Sequence, residues 1–298
     1  MSPKPTGVTA GAHPGTWDED PTAASILLAT GRPRHDLLVV AEPALLAELD
    51  AAWGRLAARV RLSFLPGVSA PQVPGQEDLL TSHDRGGLGV LVARGRTCLY
   101  EGKPARRVTG LAPPPPAGGG AGAQPAHHEH EGAGVRAALM VSRASSLGQA
   151  SLGDFLAVAD HLNLTGSPLF PATQCVDASW DEDLTNAVSR IDGVRGAGVA
   201  ALVPGPVRPS RSEVTLMSGL GADAVVMDGV AEAMALAARG VRVAGLAYVD
   251  HVAEAHAAAP ARRPGRRAAA PSQEASVTHR PAPDVVRAAV ETVLATLR

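Results

Sequence analysis

The sequence predicts an α/β protein organised around a central sheet. Two observations carry this. Valine-rich runs of strand length alternate along the chain with amphipathic or alanine-rich runs of helix length. Residues 219–251, GLGADAVVMDGVAEAMALAARGVRVAGLAYVDH, also read as strand, helix and strand in direct succession. Within that stretch 222–227 is a short apolar run, and Gly229 opens a helix to Ala238 rich in Ala, the best helix former. Gly240 ends it as a C-cap glycine would, and 241–249 is apolar again. One helix between two such runs predicts a βαβ unit, hence a parallel pair buried on both faces. Ligands of open α/β sheets sit beyond the carboxyl ends of the strands. Met227 and Asp228 after the first strand, and Asp250 and His251 after the second, are therefore placed at a candidate site.

Along the rest of the chain the elements follow in order. Residues 1–22, rich in Pro, Gly and Thr, are expected to be disordered, and 23–298 to form a single domain. A short helix is expected over 23–31 and a buried strand over 35–41 (HDLLVVA). Residues 43–58 read as a helix with Leu45, Leu46, Leu49 and Trp53 on one face. Residues 62–65 read as a strand, and 88–93 with 97–100 as a hairpin around Arg94-Gly95, followed by a weaker strand over 106–109. Residues 135–141 form a strand and 154–161 a mixed run; 180–191 is a helix led by acidic residues, as its dipole prefers. Residues 198–203 form a buried strand, 211–219 a helix, and 283–297 a terminal amphipathic helix. Two low-complexity loops interrupt the pattern, at 112–134 and 257–279. The first holds His127, His128, Glu129, His130 and Glu131, read as a solvated loop tip in preference to a metal site, since mobile ligands lack a supporting shell. The second holds Arg262, Arg263, Arg266 and Arg267, read as a basic linker.

Composition excludes some functions. The chain has 298 residues and a formal net charge of -2, so no global basic field draws it to nucleic acid or anionic lipid. Aromatics make up only 3 %, which leaves Ala, Val and Leu to build the core. Cys98 and Cys175 form no metal-type pair, and a reduced cytoplasmic setting is expected. The first residues carry no apolar signal segment and no run of about 18 apolar residues occurs, so neither secretion nor membrane insertion is expected.

The segment LGADAVVMDGVAEAMALAARGVRV resembles the signature of the trimeric purine nucleoside phosphorylases and methylthioadenosine phosphorylases, with Gly221, Ala222, Asp223, Met227, Val230 and Glu232 matching. Further segments follow in the family's order. Residues 73–76 (VPGQ) resemble its V-P-G-H turn, and 94–102 (RGRTCLYEG) its G-R-x-H-x-Y-E-G hairpin. Residues 160–166 (DHLNLTG) are similar to its D-H-I-N-L-x-G, and Gly205-Pro206 to the G-P before its catalytic Glu. On these residues the chain is identified as a member of that family. The resemblance implies a twisted mixed sheet, partly closed into a barrel and flanked by helices, in a homotrimer. It implies phosphorolysis of purine nucleosides to free base and ribose 1-phosphate, with inorganic phosphate as co-substrate and neither cofactor nor metal.

Phosphorolysis must hold an anion, orient the ribose and stabilise charge on the leaving purine. By resemblance, Arg96, Arg143 and Cys98 fall at or beside phosphate-holding positions, and Tyr100, Met227 and His279 at nucleoside-binding ones. His251 stands at the position that donates to the leaving purine, which an imidazole N–H can still do. The sequence departs from the family at Glu42 and Asp228, where it has serine, at Cys98 (histidine), Pro209 (glutamate) and His251 (asparagine). An ionised Glu42 or Asp228 repels phosphate, by on the order of 4 kcal/mol at 4 Å and an effective dielectric of 20. Arg143 is placed to offset one of them. Each residue also has a plainer reading. Arg96 pairs with Glu101 or Asp154 on a hairpin, Tyr100 and Met227 pack in the core, and His161 fixes a turn. Cys98 is a small buried hydrophobe, and Asp228 and His251 hydrogen-bond to one another, as a structural contact or as a general-base pair. Three activities stay open: a phosphorylase, a hydrolase using water in place of phosphate, and a non-catalytic nucleoside-binding or regulatory subunit.

Overall fold

A computed structural model describes residues 21–53, 58–103, 108, 135–148, 150–169, 178–253 and 281–298. His279, Cys175, the 127–131 cluster and the two low-complexity loops lie outside these residues, as do 1–20 and most of the strand expected over 106–109.

Nine strands form one sheet: β1 (Leu37–Val40), β2 (Ala58–Val60), β3 (Leu80–Arg85), β4 (Leu88–Ala93), β5 (Ala137–Ser146), β6 (Phe155–Asn163), β7 (Val194–Leu202), β8 (Ala224–Val226) and β9 (Arg242–Val252). Their order is β2-β3-β4-β1-β5-β8-β7-β6-β9, and β9 pairs back onto β5. Five strands, β5 to β9, thus close a barrel from which the other four extend. The sheet is mixed, since β1 runs parallel to β4 and β5 while β8 is antiparallel to β5.

Both faces are apolar because the strands alternate between two cores. Leu38, Val40, Ala138, Met140, Val243 and Ala247 face one; Leu37, Val39, Ala137, Leu139, Ala244 and Leu246 face the other. The helix Ala282–Ala295 covers the second core with Val285, Val286, Ala289, Val290, Val293 and Leu294, beside the helices Ala47–Trp53 and Glu182–Val188. Its apolar residues recur at three- and four-residue spacing, which gives one continuous stripe. The helix Val230–Ala237 closes the first core through Val230, Ala231, Ala233 and Leu236. At the amino end the helix Pro21–Thr30 begins inside the segment expected to be disordered, with Thr22 Oγ1 donating to the Pro66 carbonyl at 3.1 Å.

Most expected elements occur, and four readings need correction. The strands at either end of 219–251 do not pair. β8 and β9 both pair with β5, β8 antiparallel and β9 parallel, so they run in opposite directions. β8 is three residues long, and the helix after it carries the chain onward from the level of Ala144 to that of Ala137 without folding it back. An apolar run reports burial, not which strand lies alongside. Second, 97–100 is not the partner of β4; Leu99–Glu101 is a 3-10 turn and β4 pairs with β3 around Gly86-Gly87, whose φ values are 65° and 88°. β3 (LTSHDR) escapes a hydropathy reading because it buries Thr81, Ser82 and His83 in place of aliphatic side chains. Third, 62–64 is a 3-10 turn, not a strand. Fourth, the 43–58 helix is a 3-10 turn followed by Ala47–Trp53, and Ala58–Val60 is the edge strand.

Gly245 shows how close the layers lie. A Cβ there would meet the Trp180 ring at 2.6 Å and Val158 Cβ at 2.9 Å. Gly245→Ala should therefore destabilise the fold by about 1–3 kcal/mol, read as a lowered urea midpoint at unchanged slope.

Candidate active site

β5 shares one edge between two neighbours. Its residues 137–140 pair with β1, and 144–146 pair with β8 on the same side. Between those pairings the sheet forks, and the buried side chain of Arg96 fills the fork. Its Nη2 donates to the carbonyls of Val40 (3.0 Å) and Val141 (2.7 Å), where the β1–β5 pairing ends. Its Nη1 donates to Ser142 Oγ (3.2 Å) and to Asp228 Oδ1 (3.0 Å). The pairing expected for Arg96 with Glu101 or Asp154 does not occur; Glu101 accepts from the Cys98 N–H, and Asp154 is bonded to Arg195.

The Arg96 charge draws carboxylates. Asp228 follows β8, and Glu232 lies in the first turn of Val230–Ala237, where the helix dipole also favours an anion. Glu232 is 3 % exposed, neither of its oxygens has a hydrogen-bond partner, and Oε1 lies 3.9 Å from Arg96 Nη1. Burial pushes its pKa up to about 7; Arg96 pulls the other way and Asp228 adds to the rise. Burial works against the Arg96 charge too, but Asp228 and Glu232 overcome it and hold the guanidinium firmly protonated.

Cys98, Tyr100 and Met227 adjoin this pair. Cys98 Sγ lies 3.8 Å from Asp228 Oδ2, and burial, then Asp228, push the thiol up to about 12. It is a neutral donor at ordinary pH and not a thiolate. Tyr100 is likewise raised, by burial first, and stays a phenol. Tyr100 Cδ1 and Met227 Sδ each lie 2.8 Å from where a Gly205 Cβ would stand, so the two side chains converge over that glycine.

Arg143 points outward from β5 and is exposed. It forms a fork with Glu42, both oxygens 2.8 Å from Nε, and reaches Asp250 at 3.2 Å. Hydrogen bonding to Glu42 raises its pKa further. Arg208 reaches Asp250 at 3.8 Å from the loop that also bears Pro209. Glu42 accepts from Gln76 Nε2 (3.1 Å), and Gln76 Oε1 accepts from the Arg96 N–H (3.1 Å), which ties the two networks together.

The Asp228–His251 pair read from the sequence does not form. The Asp228 carboxylate is on Arg96, and His251 Nδ1 lies 3.2 Å from Ser145 Oγ, its register partner on β5. The antiparallel course of β8 separates them, because it ends Asp228 level with Ser142. His161 does not fix a turn: it lies within β6, opposite Ala200 of β7, and its Nδ1 accepts from Trp180 Nε1 at 3.3 Å. Arg96, Cys98, Tyr100, Met227 and Asp228 thus form one cluster, with Arg143 and His251 on β5 and its neighbour. The sequence reading missed Ser142, and it named Gln76 and Glu232 only as parts of matching segments, without a role. A polar residue within an apolar strand was the available signal for Ser142.

Glu232 makes the stability depend on pH. An acid with a raised folded pKa contributes fully below its unfolded value of 4.5, and that contribution is lost as pH rises through about 7. Glu232→Gln should therefore be more stable than the parent at pH 8, by on the order of 3 kcal/mol, with the difference closing toward pH 4.5. Thermal melts of both proteins across that range check it.

Comparison with known proteins places this geometry. The model of the phosphorylase superfamily matches residues 119–279. The purine nucleoside phosphorylase of Mycobacterium tuberculosis is 31 % identical over 226 residues, covering 75 % of this chain and 79 % of that protein. That of Cellulomonas sp is 29 % identical over 246 residues, covering 78 % and 79 %. The fold is similar to a crystal structure of Schistosoma mansoni purine nucleoside phosphorylase with acetate, at a TM-score of 0.67 and 18 % identity over 92 % of this chain and 93 % of that one. It is also similar to a purine nucleoside phosphorylase solved with ribose-1-phosphate, at a TM-score of 0.65 and 19 % identity over 92 % and 94 %. The chain belongs to the phosphorylase superfamily, within its purine nucleoside phosphorylase family.

Proposed function

We propose that the protein cleaves purine ribonucleosides and 2′-deoxyribonucleosides with inorganic phosphate, giving free base and (deoxy)ribose 1-phosphate. The observation that carries this reading is the buried guanidinium of Arg96, set beside the Tyr100–Met227 pair in a chain of this family. A phosphate oxygen attacks the anomeric carbon as the bond to the purine nitrogen breaks, and the electron pair of that bond passes to the base. Arg96 and Arg143 supply positive charge toward phosphate, with the Cys98 thiol as a neutral donor. Tyr100 and Met227 flank the sugar, and His251 donates an N–H to the leaving purine. Asp228 sets the charge that Arg96 presents. His279 belongs to the same proposal as a sugar contact. The reading includes no cofactor beyond phosphate, a homotrimer and a cytoplasmic setting. The exposed Leu216, Leu220 and Val207 are available for subunit contact, and the free thiol of Cys98 suits a reducing compartment.

One observation favours a second reading. Arg96 already holds Asp228, and Arg143 already holds Glu42 and Asp250. A site whose cations are so engaged also suits water as nucleophile, or nucleoside binding without turnover.

Base release from inosine, guanosine and methylthioadenosine, with and without phosphate, separates these. Release that requires phosphate is the expected result; release without it makes the protein a hydrolase, and a nucleoside-induced rise in melting temperature without turnover makes it a binding protein. His251→Ala should lower kcat on the order of 10²-fold with little change in KM for nucleoside, as loss of a donor to a leaving group does.

A further inference from the structure

Arg96 and Arg143 are the cations that the phosphorylase reading sets toward phosphate, and they differ in what an incoming anion can reach. Four of the five N–H groups of a guanidinium are used in the Arg96 contacts described above. Nη2 is committed to two backbone carbonyls that no ligand can replace without opening the sheet. The Ser142 hydroxyl lies behind Nη1. A Cβ on Gly229 would meet Ser142 Oγ at 2.5 Å and Arg96 Nη1 at 2.9 Å, so the backbone there closes over the guanidinium. What remains is the Nη1 edge, and the Asp228 carboxylate covers it.

We propose that Asp228 is an intramolecular competitor of phosphate, occupying the exchangeable edge of Arg96 and thereby setting a weak affinity for the co-substrate. The proposal rests on the phosphorylase reading of this site for the identity of the anion. It is a specificity role: Asp228 acts through Arg96 by deciding which anion the guanidinium faces. Three features support it. The Asp228 side chain retains 15 % exposure against 3 % for Arg96, so it is the more accessible member of the pair. Its second oxygen faces the Cys98 thiol at 3.8 Å, so the carboxylate is held from both sides. Glu232, buried and without a hydrogen-bond partner 3.9 Å from the same Nη1, adds a second carboxyl group to a single guanidinium. A phosphate dianion therefore meets a cation that is already neutralised, and it binds by exchanging with Asp228 and not by adding to a vacant charge.

The test compares the full-length parent with Asp228→Asn, which keeps the shape and an acceptor oxygen for Arg96, and with Asp228→Ala, which uncovers the edge. Inorganic phosphate is titrated at constant ionic strength, with chloride as the balancing anion, and two readouts are taken. The first is the melting temperature, which requires no turnover. The phosphate concentration giving a half-maximal rise should fall at least tenfold in both variants. The second is the kinetic split, in which KM for phosphate falls at least tenfold while KM for inosine moves less than threefold. A phosphate dependence of melting that is unchanged or weaker in both variants overturns the proposal. If one variant fails to fold, the other decides. Absence of base release from all three proteins removes the phosphorylase reading, and the melting-temperature comparison then decides the inference by itself.

Discussion

The site depends on a guanidinium used as a piece of backbone. Where β5 leaves β1 and takes up β8, Arg96 donates from one nitrogen to the carbonyls of both Val40 and Val141. A hydrogen bond from a charged donor contributes about 1.5–3 kcal/mol, so the guanidinium ties the barrel to the extended sheet at this point. A guanidinium can serve two carbonyls with one arm and still direct its other arm elsewhere; the compact ammonium of lysine lacks that planar fork. The charge that comes with this solution is structural in origin, and the chemistry is built around it.

A charge held in that position must be answered. Asp228 answers it at 3.0 Å, and Glu232 stands 3.9 Å away as a second carboxyl group. Both come from the residues joining β8 to β9, so the stretch that closes the barrel also sets the potential inside the site. The outer pair behaves differently. Arg143 and Glu42 meet in a fork near solvent, where water screens their attraction and the pair adds little stability. The two networks meet through Gln76, which accepts from the Arg96 backbone N–H and donates to Glu42.

How much of this was legible in the sequence divides along physical lines. Local signals read well: the helix Arg211–Gly219 is bounded as expected, its Ser210 N-cap paired with Glu213, and Gly240 ends its helix in the left-handed region. Non-local pairing did not read. Nothing in the apolar runs at 222–227 and 241–249 tells that β5 lies between them, and the expected Asp228–His251 contact failed with that pairing. The family resemblance placed Arg96, Tyr100 and Met227 near one another, which periodicity alone could not do. It also marked Glu42 and Asp228 as charges that would repel phosphate. The resemblance could not supply the counter-ions: Glu42 is taken by Arg143, and Asp228 by Arg96. Those pairings depend on side chains from distant parts of the chain, and only the packed sheet brings them together.

Counting the paired groups gives the site its character. The guanidinium groups of Arg96, Arg143 and Arg208 face the carboxyl groups of Asp228, Glu232, Glu42 and Asp250. With Glu232 protonated the two sets balance, and burial holds its pKa near 7, where a small change in its surroundings shifts its charge. A balanced cluster offers a neutral ligand, such as the sugar and base of a nucleoside, neither attraction nor penalty. It offers an anion no surplus cation, so an anion must displace a carboxylate from its partner in order to bind. Which carboxylate yields most readily is decided by burial and hydrogen bonding. Glu42 shares a bidentate contact with Arg143, Glu232 is enclosed, and Asp228 holds Arg96 through one oxygen at 3.0 Å, its other oxygen facing the neutral Cys98 thiol at 3.8 Å. On the proposed phosphorylase reading, the nucleophile is thus governed at Asp228, on the one edge of Arg96 that is not bound to backbone carbonyls.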